Sequence, residues 1–389
     1  MKAEVVPPWP SCVRQTEAMD TFSSQTGPIA VYGASGYTGK LIAAELDRAG
    51  TEFVLAGRNR EKLDAVAAGL EGDPSVEAVS VDDRAGMRKL FGQCAAVIAC
   101  AGPFTDHGEP VLAAAVDSGA HYLDTTGEQS FIRIAFDKYG ARAEAGGIAV
   151  IPAMGFDYVP GDMLAALTTE GMGRIETVRL AYSSNLQPTR GTMRSGLEMI
   201  KGGDVEWRDG SLRPASQAAS RGKFDFGPPL GSSRMVHYPA GEHITVPRHV
   251  PARNVETMLG IDALVPGPLA PLWPLVAHPT RLAMHTPVKK LAGRLIGRLP
   301  EGASSEARAA ASFTVVCEAV RADRIRRGSI TGRDVYGLTA ALIVKGARIA
   351  AGGGIDATGA LAPSQAFDPE AFLEGFDSFS LEWKLEPAP

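Results

Sequence analysis

The apolar run Pro28–Val31 leads into the glycine-rich stretch Tyr32–Gly39 (YGASGYTG), and Lys40–Leu46 (KLIAAEL) then reads as a helix. A strand, a glycine turn and a helix in that order restrict the local fold more than any other part of this chain. Gly33, Gly36 and Gly39 stand three apart. That spacing permits positive φ in the turn, lets the backbone approach a pyrophosphate and lets the helix pack closely on the strand. The helix N-terminus adds N–H groups and the positive end of its dipole. The expectation is a nucleotide-phosphate cradle with Gly33, Ser35, Gly36, Tyr37, Thr38 and Gly39 at the cofactor.

A second strand, Glu52–Ala56, ends at the ribose-reading position, roughly 20 residues beyond the turn. An Asp or Glu there would bind a free ribose 2′-hydroxyl, but the chain reads Gly57–Arg60 (GRNR). Guanidinium groups at Arg58 and Arg60 suit a 2′-phosphate. NADP(H) is expected over NAD(H), with Arg58 and Asn59 among its ligands. The alternative is that the arginines only decorate a solvated helix start.

Beyond this unit, apolar runs and helical spacings alternate. Asn59 suits an N-cap for a helix carrying Leu63, Val66 and Leu70, and a short strand follows near Val76–Val81. A helix with Met87, Leu90 and Phe91 precedes the apolar run Ala95–Gly102, short enough for a central parallel strand. Glu109–Ser118 has helical spacing and Gly119 closes it. His121–Asp124 is a further strand, Thr125–Glu128 offers a capping box, and Gly147–Pro152 completes a sixth strand. Six strands alternating with five helices predict a doubly wound parallel sheet of Rossmann type over residues 27–155, with the cofactor across its switch point. From there to about residue 350 the pattern becomes strand-rich: Val178–Ser183, parts of Arg234–Tyr238, and Ser312–Val320 alternate, Asp209–Gly210 marks a tight turn, residues 209–233 read as loop, and a helix is expected around Val335–Ala350. The fold class is therefore α/β, with a second, mixed α+β substrate domain over 156–350.

The chain has 389 residues, 45% of them hydrophobic, enough for two buried cores. A net charge of -5 without a long basic run gives no support for nucleic-acid binding. Cys12, Cys94, Cys100 and Cys317 lack Cys-x-x-Cys spacing, so neither a zinc site nor a disulfide framework is indicated, and a reducing cytoplasm fits best. Residues 1–26 read as a flexible extension without the apolar core of a signal peptide. The apolar segment Ala263–Val276 is short and broken by Pro266, Pro268, Pro271 and Pro274. A buried loop or a substrate-channel wall is favoured there over a membrane-touching patch.

Six motifs occur in order: Tyr32–Gly39, Ala56–Arg58, Ala101–Phe104 (AGPF), Tyr122–Glu128 (YLDTTGE), Gly155–Asp157 with Pro160–Asp162, and Leu361–Asp368 (LAPSQAFD). Together they resemble the saccharopine dehydrogenase-like oxidoreductases, including the branch of trans-acting enoyl reductases. The resemblance implies a Rossmann domain, often NADP(H)-binding, and a second domain that covers the nicotinamide. It also implies that residues 351–389 return to the first domain. Where relatives often carry Gly-Gly-Thr at a helix start, this chain has Arg190, Gly191 and Thr192. Arg190, Thr192 and Ser195 become the candidate substrate ligands; lining the surface is the plain alternative for Arg190.

A hydride donor supplies half of a reduction, and the other half is a proton or a stabilised charge. Ala101, Gly102, Pro103 and Phe104 are expected beneath the nicotinamide, the last two as an apolar wall. His107 is a candidate acid at neutral pH. Asp124 and Asp157 suit an ammonium or iminium, and the Tyr158 hydroxyl a developing enolate. His107 has the rival role of beginning a helix, and Asp124 that of capping one, while substrate or water remains an alternative proton source. No nucleophile elbow, phosphate-loop lysine or paired-histidine metal motif is present, so no metal is expected. The leading reading is an NADPH-dependent reductase acting on a C=C or C=N bond of a small or carrier-bound metabolite. Its rivals are an amino-acid or polyamine dehydrogenase and a silent cofactor-binding or lipid-associated scaffold. The sequence leaves the oligomeric state open, a homodimer included.

Overall fold

A computed structural model describes residues 27–193, 204–215, 222–260, 295–297, 301–322 and 324–386. Ser195, the extension 1–26 and the segment 263–276 lie outside the described residues. The first sheet is built from β1 (Ile29–Tyr32), β2 (Phe53–Gly57), β3 (Ser75–Ala78), β4 (Ala96–Ala99), β5 (His121–Asp124) and β6 (Ala149–Ile151). Its order is β3-β2-β1-β4-β5-β6, all parallel, so the chain reverses direction across the sheet between β1 and β4. That reversal is where an open α/β sheet leaves a crevice at its carboxyl edge. β1, β4 and β6 are buried at every position, as expected of central strands covered on both faces, whereas β3 is an exposed edge.

The connecting helices are α1 (Tyr37–Arg48), α2 (Arg60–Ala67), α3 (Arg84–Phe91), α4 (Phe104–Ser118), α5 (Gln129–Ile134) and α6 (Gly140–Ala145). α4 begins earlier than the sequence suggests and carries Pro110 inside it. Glu128 is the reason. Its carboxylate accepts the N–H groups of Phe104 (3.0 Å) and Thr105 (2.8 Å) and the Thr105 hydroxyl. An anion thus satisfies the free donors of the first turn and complements the dipole. The capping box expected at Thr125–Glu128 is corrected accordingly: the Glu128 carboxylate crosses to α4, while its N–H donates to Thr126 Oγ1 at 3.1 Å.

α7 (Val159–Thr169) leads into β7 (Ile175–Ser184), the centre of a second sheet. The hairpin β8 (Val205–Arg208) and β9 (Ser211–Pro214) turns at Asp209 and Gly210, both at positive φ. β10 (Lys223–Asp225), β11 (Ser232–His237), β12 (Ala252–Gly260), β13 (Ser312–Arg321) and β14 (Arg324–Arg333) follow. The stretch 209–233, expected as loop, therefore contains β9 and β10; β9 is exposed throughout, so no apolar alternation marks it. The second sheet runs β10-β11-β12-β7-β13-β14 and is mixed, with β12 and β7 parallel and the other pairs antiparallel.

α8 (Val335–Ala351) packs against α1 and against β5 and β4, on the first sheet. A domain boundary at residue 350 therefore divides the chain differently from the packing. The physical reason is that α8 is apolar nearly all round: Leu338, Leu342, Ile343 and Val344 are buried. Each such side chain contributes about 1.5–3 kcal/mol on burial. The remaining chain splits between the sheets. β15 (Gly359–Ala360) adds to β6 in parallel, but β16 (Glu382–Leu385) adds to β14 in the second sheet.

Candidate active site

Gly33 takes φ +94, and a Cβ on it would stand 2.8 Å from the Ala101 nitrogen. A Cβ on Gly39 would stand 2.4 Å from the Gly33 carbonyl oxygen. Both positions therefore require glycine, one for conformation and one for helix-to-turn contact. Gly36 is the N-cap of α1, makes no side-chain cap, and has no acidic residue after it in the first turn. Ser35, Gly36, Tyr37 and Thr38 stay half-buried, so the N–H groups at the head of α1 face the crevice. Tyr37 does something further. Its ring meets Tyr336 edge-on at 5.5 Å, and its hydroxyl donates to the Ala303 carbonyl at 2.7 Å. The second-domain segment Glu301–Ala303 thereby crosses the head of α1, with Gly302 against the Tyr37 ring and Glu301 paired to Lys40 at 2.7 Å.

At the end of β2, Arg58 is exposed and makes no ion pair among the described residues, whereas Arg60 is paired to Asp64 at 2.8 Å. Asn59 Oδ1 accepts the Lys62 N–H and caps α2. Of the three, Arg58 alone has neither an ion pair nor a capping role among the described residues.

Past β4, Ala101 and Pro103 are half-buried and Gly102 is exposed at the crevice edge. Phe104 corrects the expectation of an apolar cofactor wall: its ring turns into the core beside Phe131, 5.4 Å between centroids. α4 begins at that residue, and Phe104 lies on its inward face. His107 sits half-buried on the first turn of α4, and no side-chain hydrogen bond holds it among the described residues.

Asp124 is completely buried, and its Oδ1 accepts the N–H groups of Thr126 (2.9 Å) and Ala153 (3.0 Å). Ala153 adopts φ +63, so this carboxyl fixes the turn by which the chain leaves the first sheet. Burial pushes the Asp124 carboxyl up to about 7, against the pull of those two N–H groups and the Tyr122 hydroxyl beside it. It lies beneath the crevice and does not line it. The catalytic expectation for Asp124 is corrected to a structural tie.

Asp157 differs. It is exposed to solvent, yet protein surrounds it on most sides, and that desolvation pushes its carboxyl up to about 6. Tyr238 and Tyr336, both half-buried, feel its charge, and Gly127 lies beside its Oδ2. Tyr158 is fully buried behind it and donates to the Gly127 carbonyl at 2.6 Å, so its single proton is already committed. Sequence reading missed Tyr238 and Tyr336, which come from distant strand and helix ends.

The expected substrate ligands stand on the far wall. Arg190 donates its N–H to the Glu301 carbonyl and Nη1 to the Gly297 carbonyl at 3.3 Å, which turns it toward the crossing segment. Thr192 is exposed and shares hydrogen bonds with Thr189 (2.9 Å) and the Tyr336 hydroxyl (3.2 Å).

Sheet order, glycine turn and uncapped α1 together define a dinucleotide-binding α/β domain. Residues 29–151 match the model of the saccharopine dehydrogenase NADP-binding domain. Over 197 residues the chain is 30% identical to the human saccharopine dehydrogenase-like oxidoreductase, covering 46% of this chain and 44% of that protein. It is 32% identical over 183 residues to a putative trans-acting enoyl reductase of Mycobacterium tuberculosis, covering 44% of each. A lipid droplet localized protein of Caenorhabditis elegans is 36% identical over 146 residues, 35% of this chain and 34% of that protein. The chain thus spans less than half the length of the curated relatives it matches. The saccharopine dehydrogenase (L-Glu forming) of Saccharomyces cerevisiae shares the fold, with a TM-score of 0.57 at 12% identity over 93% of this chain and all of that one.

Proposed function

We propose that this chain is an NADPH-dependent reductase that delivers hydride to a C=C or C=N bond of a small or carrier-bound metabolite. NADP(H) lies along the head of α1, with Arg58 on its 2′-phosphate and its nicotinamide beside Gly102 and Asp157. Asp157 carries this reading. It is a carboxyl that reaches solvent inside the crevice, with a proton affinity raised toward neutrality and phenols on two sides. Such a group delivers a proton to a carbanion or amine nitrogen as hydride arrives. The absence of an ion-pair partner for Asp157 among the described residues also favours a protonated C=N nitrogen beside it, as in a secondary-amine dehydrogenase. The names of the relatives support reductase chemistry without fixing a substrate.

The free thiols of Cys94, Cys100 and Cys317 support a reducing cytoplasm as the site of action. No described helix is long and apolar enough to cross a membrane.

Fluorescence titration with NADPH and NADH, followed by NADPH oxidation on enone, imine and keto-acid panels, tests the proposal. NADPH should bind more tightly by roughly tenfold or more, and Arg58→Ala should remove that preference while Arg60→Ala keeps it. Asp157→Asn should lower turnover by about 10²-fold without loosening NADPH. Tight binding without oxidation of any compound would favour the silent scaffold.

A further inference from the structure

Behind Asp157 lies a carboxyl that the proposed reduction does not use. Glu242, at the head of the short helix Glu242–Thr245, is completely buried and makes no ion pair among the described residues. Its Oε1 accepts the hydroxyl of Tyr182 from β7, and its Oε2 has no hydrogen-bond partner among the described residues. A Cβ on Gly161 would fall 2.0 Å from the Tyr182 hydroxyl and 2.5 Å from Glu242 Oε1. Glycine in the Pro160–Asp162 motif therefore clears the space in which these two groups meet. Gly241 does the same against the Tyr158 ring, which a Cβ would approach to 3.0 Å.

Charged and titratable groups close on Glu242 from each neighbouring element. Asp157 precedes α7, Tyr158 is its N-cap and Asp162 lies in its first turn; Tyr182 comes from β7, and Tyr238 follows β11. The Tyr238 ring meets Tyr182 edge-on, 6.0 Å between centroids. The neighbouring His243 is occupied by Thr257 and the Trp207 N–H. Asp162 has its own counter-charge in His249 at 3.0 Å and a further donor in Ser364 at 2.7 Å. Among the described residues, Asp157 and Glu242 have no counter-charge. Burial, then the charges of Asp162 and Asp157, push the Glu242 carboxyl well above the usual carboxylate range. An interaction between Glu242 and Asp157 is reciprocal, so charge placed in the crevice is felt at the buried proton.

We propose that Glu242 is the charge-compensating group of this crevice: a positive charge entering beside Asp157 is balanced by release of the Glu242 proton to solvent. The inference rests on the nicotinamide being bound at Asp157. The oxidised ring carries one positive charge that the reduced ring lacks, so the two nucleotides are natural probes. Tyr182 then donates to the carboxylate left behind, and no other bond changes.

Calorimetric titration of the full chain with NADP+ and with NADPH, at pH 7 in buffers of different ionisation enthalpy, counts the protons exchanged. NADP+ should release roughly one proton more than NADPH in the wild type. Glu242→Gln should remove that difference and Asp157→Asn should reduce it. Equal counts for the two nucleotides, or a difference that survives Glu242→Gln, overturns the inference. If Glu242→Gln does not fold, infrared difference spectra of the two wild-type complexes decide. Loss of a protonated-carboxyl band with NADP+ supports it, and an unchanged band overturns it. Failure of either nucleotide to bind overturns this inference and the cofactor reading together, whereas binding with equal proton counts overturns only this one.

Discussion

The two walls of the crevice are built by different means. The wall below β1 is backbone: three glycines and the head of α1, all within seven residues of sequence from Gly33 to Gly39. The wall facing it is side chains, with Asp157, Tyr238 and Tyr336 drawn from three separate segments. A phosphate is held by donors that any residue carries, so local geometry suffices to make its site. A proton must sit on a particular oxygen, whose affinity depends on everything packed around it.

Forcing a side chain into the backbone wall should break the contrast most severely. Gly39→Val is expected to abolish NADPH binding and cost several kcal/mol of stability, because its Cβ meets the Gly33 carbonyl; thermal melts and nucleotide fluorescence measure both. Next comes Asp124, buried beneath the opposite wall. Its carboxyl titrates near 7 when folded and near 3.8 when unfolded, so the folded chain binds the extra proton between those values. Stability from that proton is complete below pH 4 and declines as pH rises through about 7. Asp124→Asn should flatten this decline, by a few kcal/mol across the window, in denaturant melts collected from pH 4 to 8. A smaller effect is expected at Glu128. Glu128→Ala removes the acceptor for the head of α4 and should cost about 1–3 kcal/mol, with NADPH binding weakened less than in Gly39→Val. The smallest belongs to the exposed Lys40–Glu301 pair joining the two walls. Lys40→Ala should change stability by less than about 1 kcal/mol, and an effect of several kcal/mol would mean that the walls depend on each other far more than their surfaces indicate.

The same contrast decides how much was legible. The alternation of six strands with helices, the turn at Gly33 and the discrimination expected at Arg58 all depend on neighbours close in sequence, and pattern reading reaches them. Phe104 was misplaced because the cap that starts α4 comes from Glu128, 24 residues away. Asp124 and Asp157 look alike in sequence, each at or just past the end of a strand. Only packing buries one and leaves the other open. α8 has the same apolar composition whichever sheet it covers, so the boundary near residue 350 carried no local signal.

By itself, the sequence determined a parallel nucleotide-binding sheet and its cradle, because glycine spacing and strand-to-helix alternation are short-range constraints on the backbone. Tertiary structure decided which carboxyls face the crevice, which stay buried, and that Arg60 rather than Arg58 is ion-paired among the described residues. Those outcomes turn on desolvation and on partners far away in the chain, and both exist only once the two sheets have closed on one another.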